Sequence, residues 1–311
     1  MKAVVVHGPG DLRVDDVPDP VPGPGEVLLS VEWGGICGSD LSYWRHGASG
    51  TAVLRHPLVL GHEVAGRLAT GEQVTVHPAT GDRYFGSAAF DPHTDGAFSE
   101  LKLVRADQVR PLPDGVSTRH GALAEPLAVA LHAVHRAGAV RGKDVLVNGA
   151  GPIGALAVAA ARYRGARTVI AADVAAAPLA AAKAMGADDV RRIGVDELPA
   201  DVEVVIEASG APAALGPVLA ATARGGTVVQ VGNLPGDPAP AALGALVTRE
   251  ITWVGSYRFV DEITDAVRAL ADGLDVEPLI THEFGIAAAA EAFAAAAAPD
   301  SSKVLLRLAM P

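Results

Sequence analysis

A chain of 311 residues has room for two domains, each large enough to bury its own core. Half of it is apolar but only 4% is aromatic, so its cores must be built from small residues packed closely. A net charge of −11, from 36 acidic against 25 basic residues, excludes a protein organised around a nucleic-acid backbone, which needs clustered Lys and Arg.

The single cysteine, Cys37, cannot form an intrachain disulfide and fits a reducing compartment. Met1-Lys2 runs into Ala3-Val4-Val5-Val6, an apolar stretch too short for a signal-peptide core. The longest apolar stretches are alanine-rich and shorter than a membrane span. A cytoplasmic protein with neither nucleic acid nor membrane among its partners is expected.

Short strands come first. Val4–Val6 and Val27–Val31 are apolar runs separated by Pro18, Pro20, Pro22, Gly23, Pro24 and Gly25, and Gln73–Val76 is a third strand. Between them stand Gly35-Ile36-Cys37-Gly38-Ser39-Asp40 and Gly61-His62-Glu63. Beyond Arg119 the texture changes. Asp144–Asn148 reads as a buried parallel strand, Ile153–Arg164 as a helix, Thr168–Asp173 as a strand and Pro178–Met185 as a helix. Val202–Glu207 and Gly226–Val231 are further strands with a helical stretch between. This alternation predicts a doubly wound parallel sheet. Helices over Asp261–Asp272 and about Ala287–Ala297 follow, then a strand over Lys303–Leu308 expected to return to the first domain.

Gly149-Ala150-Gly151-Pro152-Ile153-Gly154 lies between a predicted strand and a predicted helix, the setting a dinucleotide-binding loop requires. Gly149 permits the tight turn, Gly151 lets the backbone approach a pyrophosphate, and Gly154 lets helix and strand pack closely. Pro152 and Ile153 open the helix, whose free N–H groups and dipole favour the anion. Asp173, nineteen residues after Gly154, ends the second strand, where a carboxylate accepts from ribose hydroxyls. No Arg or Lys follows in Val174-Ala175-Ala176 to neutralise a 2′-phosphate, so NAD is expected over NADP.

Cys37, His62 and Glu125 offer a thiolate, an imidazole and a carboxylate, the donors of a catalytic zinc site with one open position. Glu63 is either an intermittent fourth ligand or a carboxylate standing behind the ligands. Asp40 is expected to hold the other ring nitrogen of His62. Open zinc beside a dinucleotide points to hydride transfer between an alcohol and a nicotinamide. The rival readings are a zinc-free quinone or enoyl reductase of the same fold and a non-catalytic NAD-binding protein.

Gly35–Asp40, Gly61-His62-Glu63-Val64-Ala65-Gly66, Glu125–Ala130, Gly149–Gly154 and Asp173 together resemble the zinc-dependent medium-chain dehydrogenase/reductase family over nearly the whole chain. Glu125 as third ligand, Tyr43 six residues after Cys37, and Gly255-Ser256-Tyr257-Arg258-Phe259 before a helix resemble its polyol branch. The resemblance implies a GroES-like β-rich catalytic domain, residues 1–126 and 259–311, around a Rossmann domain, residues 127–258. It implies one catalytic zinc per chain on Cys37, His62 and Glu125, with Glu63 nearby, and Ser39 as the relay for the substrate proton. It implies that Tyr43 and Arg258 border a polyol pocket, that Val231 and Arg258 flank the cofactor, and that the chain forms a homodimer or homotetramer. Strands Thr227–Val231 and Ile251–Gly255 are expected at a sheet edge that pairs across the dimer.

Two departures from the family stand out. Val76–Gly96 replaces the lobe that carries a second, structural zinc in most members, and no cysteine remains to rebuild it. Ser42 stands where members often have the His that ends the proton relay, leaving water or His46 for that step. Tyr43, Trp44, Arg45, His46 and Arg258 are expected around a sugar alcohol or a sugar acid. A carboxylate partner for Arg45 or Arg258 would favour an aldonate such as idonate.

Overall fold

The structure, a computed structural model, describes residues 1–236, 238 and 240–309. Its contacts divide it into two compact units. One comprises Met1–Glu125, Leu270–Gly273 and Ile280–Pro311, the other Pro126–Ala269 and Leu274–Leu279. The second boundary falls later than the expected 258/259. Helix Glu262–Ala271 buries Ile263, Ala266, Val267 and Ala269, so most of it packs with the second unit.

The first unit is built on Glu26–Gly35, a long strand whose alternating apolar side chains bury Leu29 and Val31. On one side it pairs antiparallel with Glu63–Leu68. On the other it pairs with Leu101–Arg105 along its first half and with the C-terminal strand Lys303–Arg307 at its end. Gly35 therefore lies opposite both Glu63 and Leu305. The expected return of the C-terminal strand to the first domain occurs here. Gln73–Val76 follows Glu63–Leu68 in the same sheet across a short turn.

Phe98 fills the middle of this unit. It is fully buried, and its ring lies where Gly34 and Gly61 would carry Cβ atoms, 2.7 and 2.1 Å from ring carbons. Gly61 also has φ +95°, which an L side chain resists. The glycine before His62 is thus a packing requirement of Phe98.

The second unit holds a six-stranded parallel sheet in the order Asp189–Arg192, Thr168–Asp173, Asp144–Asn148, Val202–Glu207, Thr222–Gln230, Thr252–Gly255. Val145, Leu146, Val147, Val204, Val205 and Ile206 are all fully buried, as helices on both faces demand. The strand order reverses direction between Asp144–Asn148 and Val202–Glu207, the place where open sheets of this kind bind ligands. Thr222–Gln230 is paired on both sides, so of the two strands expected at an edge only Thr252–Gly255 lies there. Among the described residues no helix is long and apolar enough to cross a membrane.

Phe98→Ala should empty the space shared with Gly34 and Gly61 and cost about 3–5 kcal/mol. Denaturant unfolding measures it; a loss below about 1 kcal/mol would show that the ring does not hold the first unit together.

Candidate functional site

Cys37 is the residue before helix Gly38–His46, at the end where the first backbone N–H groups lack partners within the helix. Asp40 on the first turn fixes this corner. Its Oδ2 accepts from the Cys37 N–H at 3.0 Å, and its Oδ1 accepts from the Gly61 N–H at 3.2 Å. One buried carboxylate thereby ties together the two segments that carry Cys37 and His62. Burial pushes the Asp40 carboxyl up, against the pull of His62.

Ligand atoms of Cys37, His62 and Glu63 all lie within 4.8 Å of one another. Glu125, the third expected ligand, is not in that group. It is buried beside it, its Oε1 held by the Tyr84 hydroxyl. Burial pushes Glu125 up; His62 pulls it down and Glu63 adds to the rise. Glu63 is itself engaged. The Lys303 ammonium donates to both its oxygens, at 2.8 and 2.7 Å, and to the Ile36 carbonyl at 3.1 Å. Burial opposes charge on Lys303, yet Glu63, Cys37 and Glu125 hold its pKa up. Lys303 and Tyr84 are site residues with no signal in the sequence motifs.

The expected hydrogen bond from His62 to Asp40 is absent. Nδ1 of His62 stands 3.8 Å from Asp40 Oδ1 and is buried without a hydrogen-bond partner, while each Asp40 oxygen accepts from a backbone N–H group. Burial resists charging His62, but Asp40, Cys37 and Glu125 carry its pKa well above the ordinary value. An orphaned imidazole nitrogen, a thiol and three buried carboxylates in one space make a donor set that fits a divalent cation. Binding an ion there would replace protons on these groups.

Ser39 lies half-buried on the first turn of the same helix. Ser42 donates to the Ala48 carbonyl at 2.6 Å, which ties up its proton, and His46 is exposed. Tyr43 is a core residue whose hydroxyl accepts from the Ala88 N–H at 2.9 Å. The expected cluster of Tyr43, Trp44, Arg45 and His46 does not converge, since consecutive helical residues face different ways. Trp44 packs edge-on against Phe293, and Arg45 reaches toward the Ala297 carbonyl.

In the second unit, Gly149 has φ +90°, and a Cβ there would meet Ser209 backbone at 2.5 Å. A Cβ on Gly154 would lie 1.8 Å from the Gly149 carbonyl oxygen, whereas one on Gly151 would meet nothing within 4 Å. Gly151 thus borders open space at the start of helix Pro152–Tyr163, which has no side-chain cap. That cradle fits a pyrophosphate. Asp173 accepts from the Ala150 N–H at 2.7 Å and from the Ala175 N–H at 2.9 Å, fixing the glycine loop to the second strand. Its register partner on the neighbouring strand is Arg192, a cation the linear sequence did not place there. Glu207, fully buried, accepts from Asn148, Ser209 and Gly210 and holds the facing loop. Val231 N–H donates to the Glu207 carbonyl oxygen at 2.8 Å, and Arg258 has φ +54° with its guanidinium over the Tyr257 ring.

Comparison with known proteins gives two family matches: an alcohol dehydrogenase GroES-like domain over residues 23–114 and a zinc-binding dehydrogenase domain over residues 152–272. The sorbitol dehydrogenase of Bos taurus is 36% identical over 341 aligned positions, covering 98% of this chain and 95% of its own. The crystal structure of L-idonate 5-dehydrogenase from Escherichia coli K-12 superposes with a TM-score of 0.94 at 34% identity, over 99% of this chain and 98% of that one. Galactitol-1-phosphate dehydrogenase from Escherichia coli gives 0.85 at 28% identity, over 99% and 100%.

Lys303→Met should leave the Glu63 carboxylate buried and unpaired and cost about 3–5 kcal/mol. Adding Glu63→Gln should recover much of that loss in an unfolding titration; two additive losses would mean the pair is not the unit that matters.

Proposed function

The chain belongs to the zinc-binding dehydrogenase family, and from that membership we propose that it transfers hydride between a secondary alcohol of the polyol or sugar-acid type and NAD. The observation that carries this reading is the convergence of Cys37, His62 and Glu63 beside buried Glu125. A zinc-free reductase of the same fold has no need of such donors.

Cys37, His62 and Glu125 would hold the ion. Tyr84, bonded to Oε1 of Glu125, leaves the other carboxylate oxygen for ligation. Lys303 donates to both oxygens of Glu63, so that Glu63 would serve as an occasional fourth donor. Bound in this way, zinc supplies the Lewis acidity that makes an alcohol proton labile near neutral pH, and NAD supplies the hydride acceptor. Ser39 Oγ accepts the substrate proton. Ser42 is committed to Ala48, so the proton continues to solvent through water or His46.

Gly151, Pro152, Ile153 and Gly154 would hold the cofactor's pyrophosphate, and Val231 and Arg258 would flank the cofactor. Asp173 receives the adenine ribose and repels a 2′-phosphate, despite Arg192 across the strand pair. We assign Arg258, rather than Arg45, to a sugar-acid carboxylate. The Arg45 side chain is engaged with Ala297. We place the protein in the cytoplasm as two or four copies, with the edge strand Thr252–Gly255 free to pair with its like.

The decisive experiment compares the wild type with Cys37→Ser. The variant should carry one zinc fewer per chain and lose turnover of polyols and sugar acids while still binding NADH. An active variant lacking that zinc would refute the assignment. For the cofactor, NAD should be preferred over NADP by about tenfold or more in kcat/KM, the equivalent of about 1.4 kcal/mol. Asp173→Asn should erode that preference; an unchanged ratio would move discrimination away from Asp173.

A further inference from the structure

A second set of metal donors stands in the other unit, outside everything the proposed reaction uses. His132 and His135 are three residues apart near the end of helix Ala124–Arg136, a spacing that puts both on one face. Both rings aim Nδ1 at one atom. His132 Nδ1 lies 2.9 Å and His135 Nδ1 3.1 Å from Oε1 of Glu262. The three donor atoms fall within 4.8 Å of one another.

The carboxylate is fixed from behind. Its Oε2 accepts from the backbone N–H groups of Val260 at 2.8 Å and Asp261 at 3.2 Å. Glu262 and His132 are nearly buried, with side chains 10% and 12% exposed, whereas His135 is 77% exposed. The cluster is therefore held rigidly on two sides and open to solvent on the third. Of the two, His135 sits in the last turn of the helix, where the unpaired carbonyls favour a bound cation.

We infer that His132, His135 and Glu262 form a second metal site, for a borderline first-row divalent ion of the zinc, cobalt and nickel class. Two imidazoles and one carboxylate are the donor set that such ions take, with water completing the shell. Metal–ligand bonds of about 2.0–2.1 Å in a tetrahedron place donors about 3.3 Å apart. The observed distances of 2.9 and 3.1 Å need to widen by only a few tenths of an ångström. The exposed His135 ring has the freedom to supply that movement. The absence of thiolate donors favours a weaker, more exchangeable site than the one around Cys37. The ion would clamp the end of the Ala124–Arg136 helix to the start of Glu262–Ala271.

The test counts zinc on the full chain after chelator treatment, by equilibrium dialysis with Zn2+. The background is Cys37→Ser with His62→Ala, which disables the first site, and its circular dichroism is checked against the wild type. One zinc per chain is expected on this background, and its loss on adding His135→Ala. No zinc on the background overturns the inference, leaving His132, His135 and Glu262 as a hydrogen-bonded trio. Zinc retained after His135→Ala overturns it equally, because the ion is then bound elsewhere. Should the background fail to fold, the comparison is wild type against His135→Ala, whose side chain is 77% exposed. Two zincs falling to one supports the site, and equal counts refute it. Neither readout depends on turnover, so it stands or falls apart from the proposed dehydrogenase activity.

Discussion

Asp40, Glu63 and Glu125 are each less than 5% exposed and share one space with the Cys37 thiol and the His62 ring. Acidic groups concentrated where water is excluded repel one another and lose hydration, so the first unit must supply compensating charge. Lys303 supplies one part, donating to both oxygens of Glu63. Backbone N–H groups from Cys37 and Gly61 supply another at Asp40, and the Tyr84 hydroxyl a third at Glu125. The remaining demand is for a cation among the donors. Much of the first unit is explained by this requirement. The Lys303 strand must return to Glu26–Gly35, and the segment that carries Tyr84 must fold over Glu125.

The glycines of the sequence motifs answer the same constraint in steric terms. A Cβ on Gly35 would lie 2.2 Å from Oε2 of Glu63, so the residue opposite that carboxylate has to be bare. Gly61 yields its space to Phe98, which closes the apolar side of the unit. In the second unit, Gly149 and Gly154 are bare because backbone passes against them, and Gly151 because a ligand can. Three glycines in one hexapeptide thus have two distinct causes, and only the open face at Gly151 speaks of binding.

The parallel sheet was legible because its strands are buried on both faces and appear as unbroken apolar runs. Asp144–Asn148, Thr168–Asp173 and Val202–Glu207 coincide with the predicted spans. The motif residues around Cys37 and His62 were legible because their neighbours are sterically constrained. Lys303 was not, being 240 residues from its partner Glu63 and looking like any charged residue in a terminal strand. Nor was the role of Asp40 readable: its proximity to His62 was anticipated, but not that two backbone N–H groups would claim both its oxygens. The expected side-chain cluster at Tyr43–His46 failed for an elementary reason. Adjacency in sequence becomes divergence on a helix: Tyr43 is buried in the core and Trp44 packs half-buried against Phe293.

The Val76–Gly96 segment, expected to stand in place of a cysteine lobe, has a positive role. The segment forms a small hairpin, Ala79–Thr80 with Arg83–Tyr84, and Tyr84 reaches Glu125 from it. The hairpin therefore supports the buried Glu125 carboxylate. A tyrosine hydroxyl orients a carboxylate without adding charge, which suits a space already rich in acids. It also makes the geometry of Glu125 depend on the local hairpin rather than on a second ion. On the proposed reading the first unit would hold one ion, and a further metal would take ligands elsewhere, at His132, His135 and Glu262.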